Sequence, residues 1–308
     1  MDAELRGRGP GSPGPDSLAD QTFQLLAAGK SQLALERARM ALAQHPSHLG
    51  LKLALAEASF QEERNDEAQE HARSVLTQDP QNTAAMRVAA LVAARMGSFQ
   101  ESEKILLSAL KVDPTDPVLL GNYGSIMHRT GRLEKAESLL RRALNFDPEN
   151  SDLRSMLSVL LSERRELDAA SHHGAAALTA APEDEFPHLA SGIAAHQSLR
   201  PFAARRHVRT ALRQDPTDKQ VRELFEEVDE SCRWIGLPHY FISSLIARIP
   251  GGSLGLHGLF VLSLFLMRSA GVPEMWIGRY ALIYLIWAIY SWFARPLTKL
   301  WVRMVPAQ

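Results

Sequence analysis

Prolines stand at Pro46, Pro80, Pro114, Pro148, Pro182 and Pro216, each 34 residues after the one before. A fixed period of this length marks stacked supersecondary units, each too small to bury its own apolar face. Two further columns keep the same step. Small residues recur at Ala34, Ala68, Ser102, Ala136, Ala170 and Ala204, and again at Ala41, Val75, Ala109, Ala143, Ala177 and Ala211. Paired helices approach closely only where the contact residue is small, so these columns predict the seams between helices. Proline cannot continue a helical hydrogen-bond ladder, so each one predicts the end of a second helix, usually after an aspartate (Asp79, Asp113, Asp147, Asp215). Gly29, Gly97 and Gly131 fall between the two helices of their units, where a tight turn favours a positive backbone angle.

The stretch LLGNYGSIMHRTGRLEKAESLLRRALNFDP, within 117–150, resembles a tetratricopeptide repeat. Leu120, Tyr123, Gly124, Gly131, Ala136, Ala143 and Pro148 occupy the positions that this family fills with its characteristic residues. The resemblance implies an all-α tetratricopeptide (TPR) solenoid of six helix-turn-helix units, 15–48, 49–82, 83–116, 117–150, 151–184 and 185–218, with 18–218 as the repeat domain. A disordered leader is expected over 1–17, which is rich in glycine and proline and lacks the apolar core of a secretory signal. The polar-faced segment 219–233 is expected to be a capping helix. Departures from the family pattern predict irregular helix ends: Glu63, Arg165 and Leu199 stand where a turn glycine is usual, and Phe186-Pro187 interrupts the opening of the sixth unit.

Such a stack implies a concave groove, lined by the first helix of each unit, that takes a protein or peptide partner. By the resemblance, the groove positions include Arg87, Leu91, Arg95, Ser125, His128, Arg129, Val159, Ile193 and His196. Arg87, Arg95 and Arg129 would form a basic cluster suited to an acidic stretch or a terminal carboxylate; the alternative is an ordinary solvated helix face. The lysine and asparagine by which one subgroup grips chaperone C-termini are replaced by Ala19 and Phe23, so no such client is implied.

Charge divides the chain. Residues 1–233 carry 28 basic and 34 acidic residues, whereas 234–308 carry six basic residues and one acid, Glu274, together with all five tryptophans. This membrane-associated region, 234–308, holds apolar segments at 249–267 and 277–294, expected as a transmembrane hairpin that turns around Gly271 and Pro273. Trp276, Tyr280, Trp292, Arg295 and Trp301 lie near the segment ends, where amphipathic rings and arginines favour the membrane interface. Basic residues outside the hairpin (Arg233, Arg248, Arg295, Lys299, Arg303) outnumber those at its turn (Arg268, Arg279), which predicts cytoplasmic repeats and cytoplasmic termini. A soluble pair of helices packed on the repeats, or a hairpin that dips into the bilayer without crossing, are the competing arrangements.

No motif points to catalysis, a metal or a cofactor. His172 and His173 are adjacent and diverge on a helix, His45 and His48 straddle Pro46, and the glycine-rich stretch 251–258 lacks the lysine of a phosphate loop. Cys232 is the single cysteine and reads as a structural thiol, while His257 stands out as a titratable group within an apolar run. The acidic repeat region gives no basis for nucleic-acid binding. The expected role is a non-enzymatic scaffold or adaptor at the cytoplasmic membrane face. The alternative is an accessory subunit that docks through its hairpin into a membrane enzyme or transport complex.

Overall fold

A computed structural model describes residues 14–232, 252–270, 272–286 and 288, the side chains of 252–259 excepted. These residues form helices joined by turns, with no strand among them. The chain divides into two compact units, Met1–Pro148 and Glu149–Gln308. In the first unit, α1 (Pro15–Ala27) pairs with α2 (Ser31–Gln44), α3 (Leu49–Gln61) with α4 (Asn65–Gln78), α5 (Thr83–Arg95) with α6 (Phe99–Val112), and α7 (Pro117–Arg129) with α8 (Leu133–Phe146). In the second, α9 (Ser151–Glu163) pairs with α10 (Leu167–Ala180) and α11 (Glu185–Gln197) with α12 (Pro201–Gln214), and the single α13 (Lys219–Cys232) packs on α12. Within each unit, the packing of the repeat helices is confined to a pair and the pair next to it.

The columns of small residues lie where helices touch. Ala34, Ala68, Ser102, Ala136, Ala170 and Ala204 are all fully buried. Around them, leucines and valines bridge successive pairs, as in the clusters of Leu26, Leu35 and Leu55 and of Ala56, Ala72, Val88 and Val92. The proline column acts through the residue before it, which proline forces out of the helical region. Thus His45, Asp79, Asp113, Asp147, Ala181 and Asp215 all end their helices with φ between -124° and -140° and ψ between 66° and 95°. At all but one of these junctions a capping side chain then starts the next helix, α11 after Asp184 being the exception. Asn82 Oδ1 accepts from Ala85 N at 2.9 Å, Asp116 Oδ1 from Leu119 N at 3.0 Å, and Asn150 Oδ1 from Leu153 N at 3.1 Å.

Three expectations need correction. Glu63, Arg165 and Leu199 adopt φ of 58°, 64° and 60°, in the left-handed region that Gly29, Gly97 and Gly131 also occupy. All six turns close with the same five-residue bond, Lys30 N to Leu25 O at 2.9 Å being matched by Glu166 N to Leu161 O at 2.9 Å. The helix ends are therefore regular, and the missing glycine shows up instead as local backbone strain, which costs about 1–2 kcal/mol for a residue with a Cβ. Second, Pro187 does not interrupt α11, because it sits in the first turn, where its missing N–H has no helical partner to lose; its effect is confined to the cap, since it lacks the N–H to which the capping side chains of α5, α7 and α9 bond, and Asp184 makes no such bond. Third, helix α1 begins at Pro15, so 15–17 belong to the first helix; the rest of the expected leader, 1–13, lies outside the described residues.

The capping helix is present as α13, with Val221 and Val228 buried against Val208, Ala211 and Ala204 of α12. In the tail, α14 (Gly252–Ser269) is followed by α15, described over 274–286. The two are antiparallel, because Phe260 stacks on Tyr284 with ring centroids 3.6 Å apart while Ser263 Oγ lies 3.0 Å from the Tyr280 hydroxyl. The expected transmembrane spans are not supported. Among the described residues no helix is long and apolar enough to cross a membrane. At 1.5 Å per residue the described stretch of α15 measures about 20 Å against a hydrocarbon core of ~30 Å, and α14 carries Arg268 in its last turn.

Candidate functional site

In the first unit α1 packs on α3, α3 on α5 and α5 on α7, whereas the second helices pack chiefly on the first helices that flank them. The first helices are thus the more closely packed layer, and their free side is the face on which the expected groove residues fall. Arg87, Leu91 and Arg95 follow one another at four-residue steps on α5, so they share a face; Ser125, His128 and Arg129 are carried by α7. Leu91, Ser125 and His128 are half-buried, as expected of side chains lining a shallow groove.

The three arginines differ in their surroundings. Arg87 is ion-paired with Glu57 of α3, so its charge is already neutralised. Arg95 lies over the ring of Phe60, its Cζ 3.7 Å from the centroid, and donates from Nη1 to the Phe60 carbonyl at 2.5 Å. Burial, with the like charge of Arg129 adding to it, lowers the Arg95 pKa below the ordinary arginine value, and Glu63 opposes that shift. Arg129 lies over Phe99 at 4.8 Å. The expected cluster is therefore a pair, Arg95 and Arg129, with Arg87 set apart by Glu57.

Polar links across repeats hold this face in place. Glu103 of α6 accepts from the buried Tyr123 hydroxyl at 2.8 Å and from Arg132 Nη2 at 2.6 Å, while Lys135 lies 3.6 Å away. The hydrogen bond from Arg132 is the main reason that the Glu103 pKa falls below the usual carboxylate value; the Tyr123 bond and the Lys135 charge act in the same direction. Sequence reasoning missed Glu57, Phe60 and Phe99 as partners of the arginines. It also missed Asn122 of α7, whose Nδ2 is buried with no protein partner among the described residues. An asparagine amid the apolar positions of a first helix was the available signal for that one.

In the second unit, Val159 of α9 and Ile193 and His196 of α11 are half-buried, and His196 Nε2 lies 3.7 Å from Glu227 of the capping helix. His48 has a structural role: its Nδ1 accepts from Leu51 N at 3.2 Å to cap α3, and its Nε2 lies 2.9 Å from Asp16. Among the described residues no three His, Cys, Asp or Glu side chains are placed to hold a metal. Burial pushes the Cys232 thiol up to about 11, which leaves it protonated and unreactive near neutrality. In the tail, Trp276 and Tyr280 are exposed and Arg279 lies over the Trp276 ring at 4.9 Å. Trp292, Arg295 and Trp301 lie outside the described residues, as does the His257 side chain.

Helical pairs repeated in a fixed period define an all-α solenoid. Family models described as Tetratricopeptide repeat match residues 24–83, 59–122 and 118–150, so over 24–150 the chain is similar to tetratricopeptide repeats. No curated protein matches the chain. Among solved structures, a thermophilic TPR protein of Thermus thermophilus is 22% identical with a TM-score of 0.55, the match covering 59% of this chain and 98% of that one. A tetratricopeptide repeat protein from Parabacteroides merdae is 14% identical with a TM-score of 0.57, over 70% of this chain and 84% of that one. The pilF protein of Pseudomonas aeruginosa is 19% identical with a TM-score of 0.50, over 69% of this chain and 97% of that one. At these identities the likeness is one of fold.

Proposed function

We propose that the chain is a non-enzymatic adaptor that holds an extended polypeptide on the inner face of its repeats and attaches to a membrane through its C-terminal hairpin. The observation that carries the binding role is the direct stacking of α1, α3, α5 and α7, which leaves a half-buried face bearing Leu91, Ser125 and His128 beside the unsatisfied Asn122 amide. A buried donor without a partner is costly, and a rotation of the half-buried Asn122 side chain toward the groove would let a peptide carbonyl satisfy it. Tetratricopeptide repeats generally mediate protein–protein interactions. A photo-crosslinking residue placed at Ser125 is expected to capture polypeptide partners, while one on the outer helix at Arg141 captures few. Equal capture at both positions would remove the groove from the proposal.

The membrane role is supported by the two-sided apolarity of the hairpin. Phe260, Ser263, Leu264 and Met267 of α14 are half-buried, yet the opposite side, Val261, Leu262, Phe265 and Leu266, is apolar and exposed. On α15, Leu282, Ile283, Leu285 and Ile286 are likewise exposed, with Phe265 at 69% and Ile283 at 67%. A helix pair that turns this much apolar surface outward needs a covering that water does not supply. The surplus of basic residues outside the hairpin favours repeats on the cytoplasmic side. In this reading, Phe265→Glu with Ile283→Glu lowers partitioning of the full-length chain onto phospholipid vesicles at least about tenfold, since burying one large apolar side chain contributes about 1.5–3 kcal/mol. Failure of the unaltered chain to bind protein-free vesicles would overturn membrane attachment; co-extraction with a larger membrane complex would then favour the accessory-subunit role.

A further inference from the structure

Arg95 and Arg129 end the first helices of two successive repeats, α5 and α7. Both guanidinium groups rest on aromatic rings, Phe60 and Phe99, and neither forms an ion pair with a carboxylate among the described residues. This sets them apart from Arg39, Arg87 and Arg132, which pair with Glu67, Glu57 and Glu103. Stacking fixes the plane of a guanidinium; on Arg95, Nη1 already donates to the Phe60 carbonyl at 2.5 Å and to Asn65 Oδ1 at 3.4 Å, so the Nη2 and Nε edge is the one left to grip a carboxylate with two parallel bonds. Two like charges in adjacent repeats repel each other, and Glu63, the acid whose charge acts on Arg95, closes no ion pair with it. A ligand bearing negative charge at both points would relieve that repulsion.

We propose that Arg95 and Arg129 form a two-point anchor for an acidic segment of the bound polypeptide, its two carboxylates three residues apart; this rests on the groove reading above. The spacing follows from geometry. Neighbouring packed helices lie about 8–10 Å apart. An extended chain of the polyproline II type advances about 3.1 Å per residue with three residues per turn, so side chains at i and i+3 project to one side about 9 Å apart. Carboxylates at that separation meet both arginines without bending the ligand.

Selection of short random peptides on the full-length chain tests the anchor. Acidic residues three apart should be enriched, and synthetic versions with both acids replaced by the corresponding amides should bind about tenfold or more weakly. The double variant Arg95→Ala, Arg129→Ala should lose a similar factor with unchanged helical content by circular dichroism, and the affinity should fall steeply with salt. Arg95→Lys with Arg129→Lys, which keeps charge but not the planar fork, should recover only part of it. Selected peptides without acids, or acidic peptides that bind the double variant as well as the unaltered chain, would overturn the anchor. Ser125→Tyr, which fills the inner face, separates the two readings. Peptides sensitive to it but not to the arginine variants leave the groove standing and remove the anchor, whereas peptides indifferent to both remove the groove as well.

Discussion

Leu140→Ala is expected to destabilise the first unit by about 2–5 kcal/mol, because Leu140 is fully buried and its loss leaves a cavity that the helices cannot close. The side chain packs directly on the backbone of Gly124. A Cβ built at Gly124 would stand 3.0 Å from Leu140 Cγ and 3.4 Å from the Ala136 carbonyl oxygen. Replacing a mid-helix glycine by alanine ordinarily stabilises by about 0.5–1 kcal/mol. Here Gly124→Ala is expected to destabilise, by about 1–3 kcal/mol, since the added Cβ presses both on a buried leucine and on the fixed carbonyl oxygen of Ala136. In the Leu140→Ala background the sign should reverse, because the new methyl group enters the cavity. Native-state hydrogen exchange of the α7 and α8 amides in the four proteins, which reads the stability of this pair alone, closes the cycle, with a coupling of about 2 kcal/mol or more. Additive effects would mean that α7 and α8 do not meet through this pair.

Removing Glu103 is the second large effect. Glu103→Ala leaves the buried Tyr123 hydroxyl without its acceptor and separates Arg132 and Lys135 from their shared partner, for an expected loss of about 1–3 kcal/mol. The contribution also has a pH signature. Because the folded-state pKa of Glu103 is depressed, its stabilisation is fully present above the unfolded value of about 4.3 and is lost as pH falls through the folded value. The stability gap between the unaltered chain and Glu103→Gln should therefore be constant from pH 7 to about 5 and narrow below about 4. Thermal melts across that range check it, and a gap that persists unchanged at low pH would show that the carboxylate charge contributes nothing.

The repeat was legible because its markers act sterically on their own neighbours. A proline ends the helix before it whatever surrounds it, and an alanine at a close seam cannot be exchanged for a larger residue, so both leave periodic columns in the chain. The turns at Glu63, Arg165 and Leu199 were not legible as regular, because the five-residue hydrogen bond that closes each turn imposes the left-handed angle on side chains that disfavour it. At the groove, residue numbers placed Arg87, Arg95 and Arg129 together on the first helices, but their electrostatic state depends on residues about 30 positions away: Glu57 for Arg87, and Phe60 and Phe99 for the other two. Those partners come from neighbouring helices, and their types differ, a carboxylate in one case and aromatic rings in the others, so they form no column in the 34-residue period. In the tail, α14 and the described stretch of α15 largely coincide with the apolar segments at 249–267 and 277–294. Apolarity marked the helices there, but it carries no information on where a helix ends, and span length depends on those ends.

The confinement of packing to adjacent pairs bears on how the protein fails. Almost every stabilising contact of the repeats is local in sequence, so little loop-closure entropy must be overcome and each pair can form as soon as its neighbour is in place. Damage should be contained in the same way: a lesion inside the stack lowers the stability of its own pair and the two beside it, while more distant pairs lose only the support those neighbours gave them. Such a chain would come apart in segments, retaining partly folded intermediates rather than melting as one block.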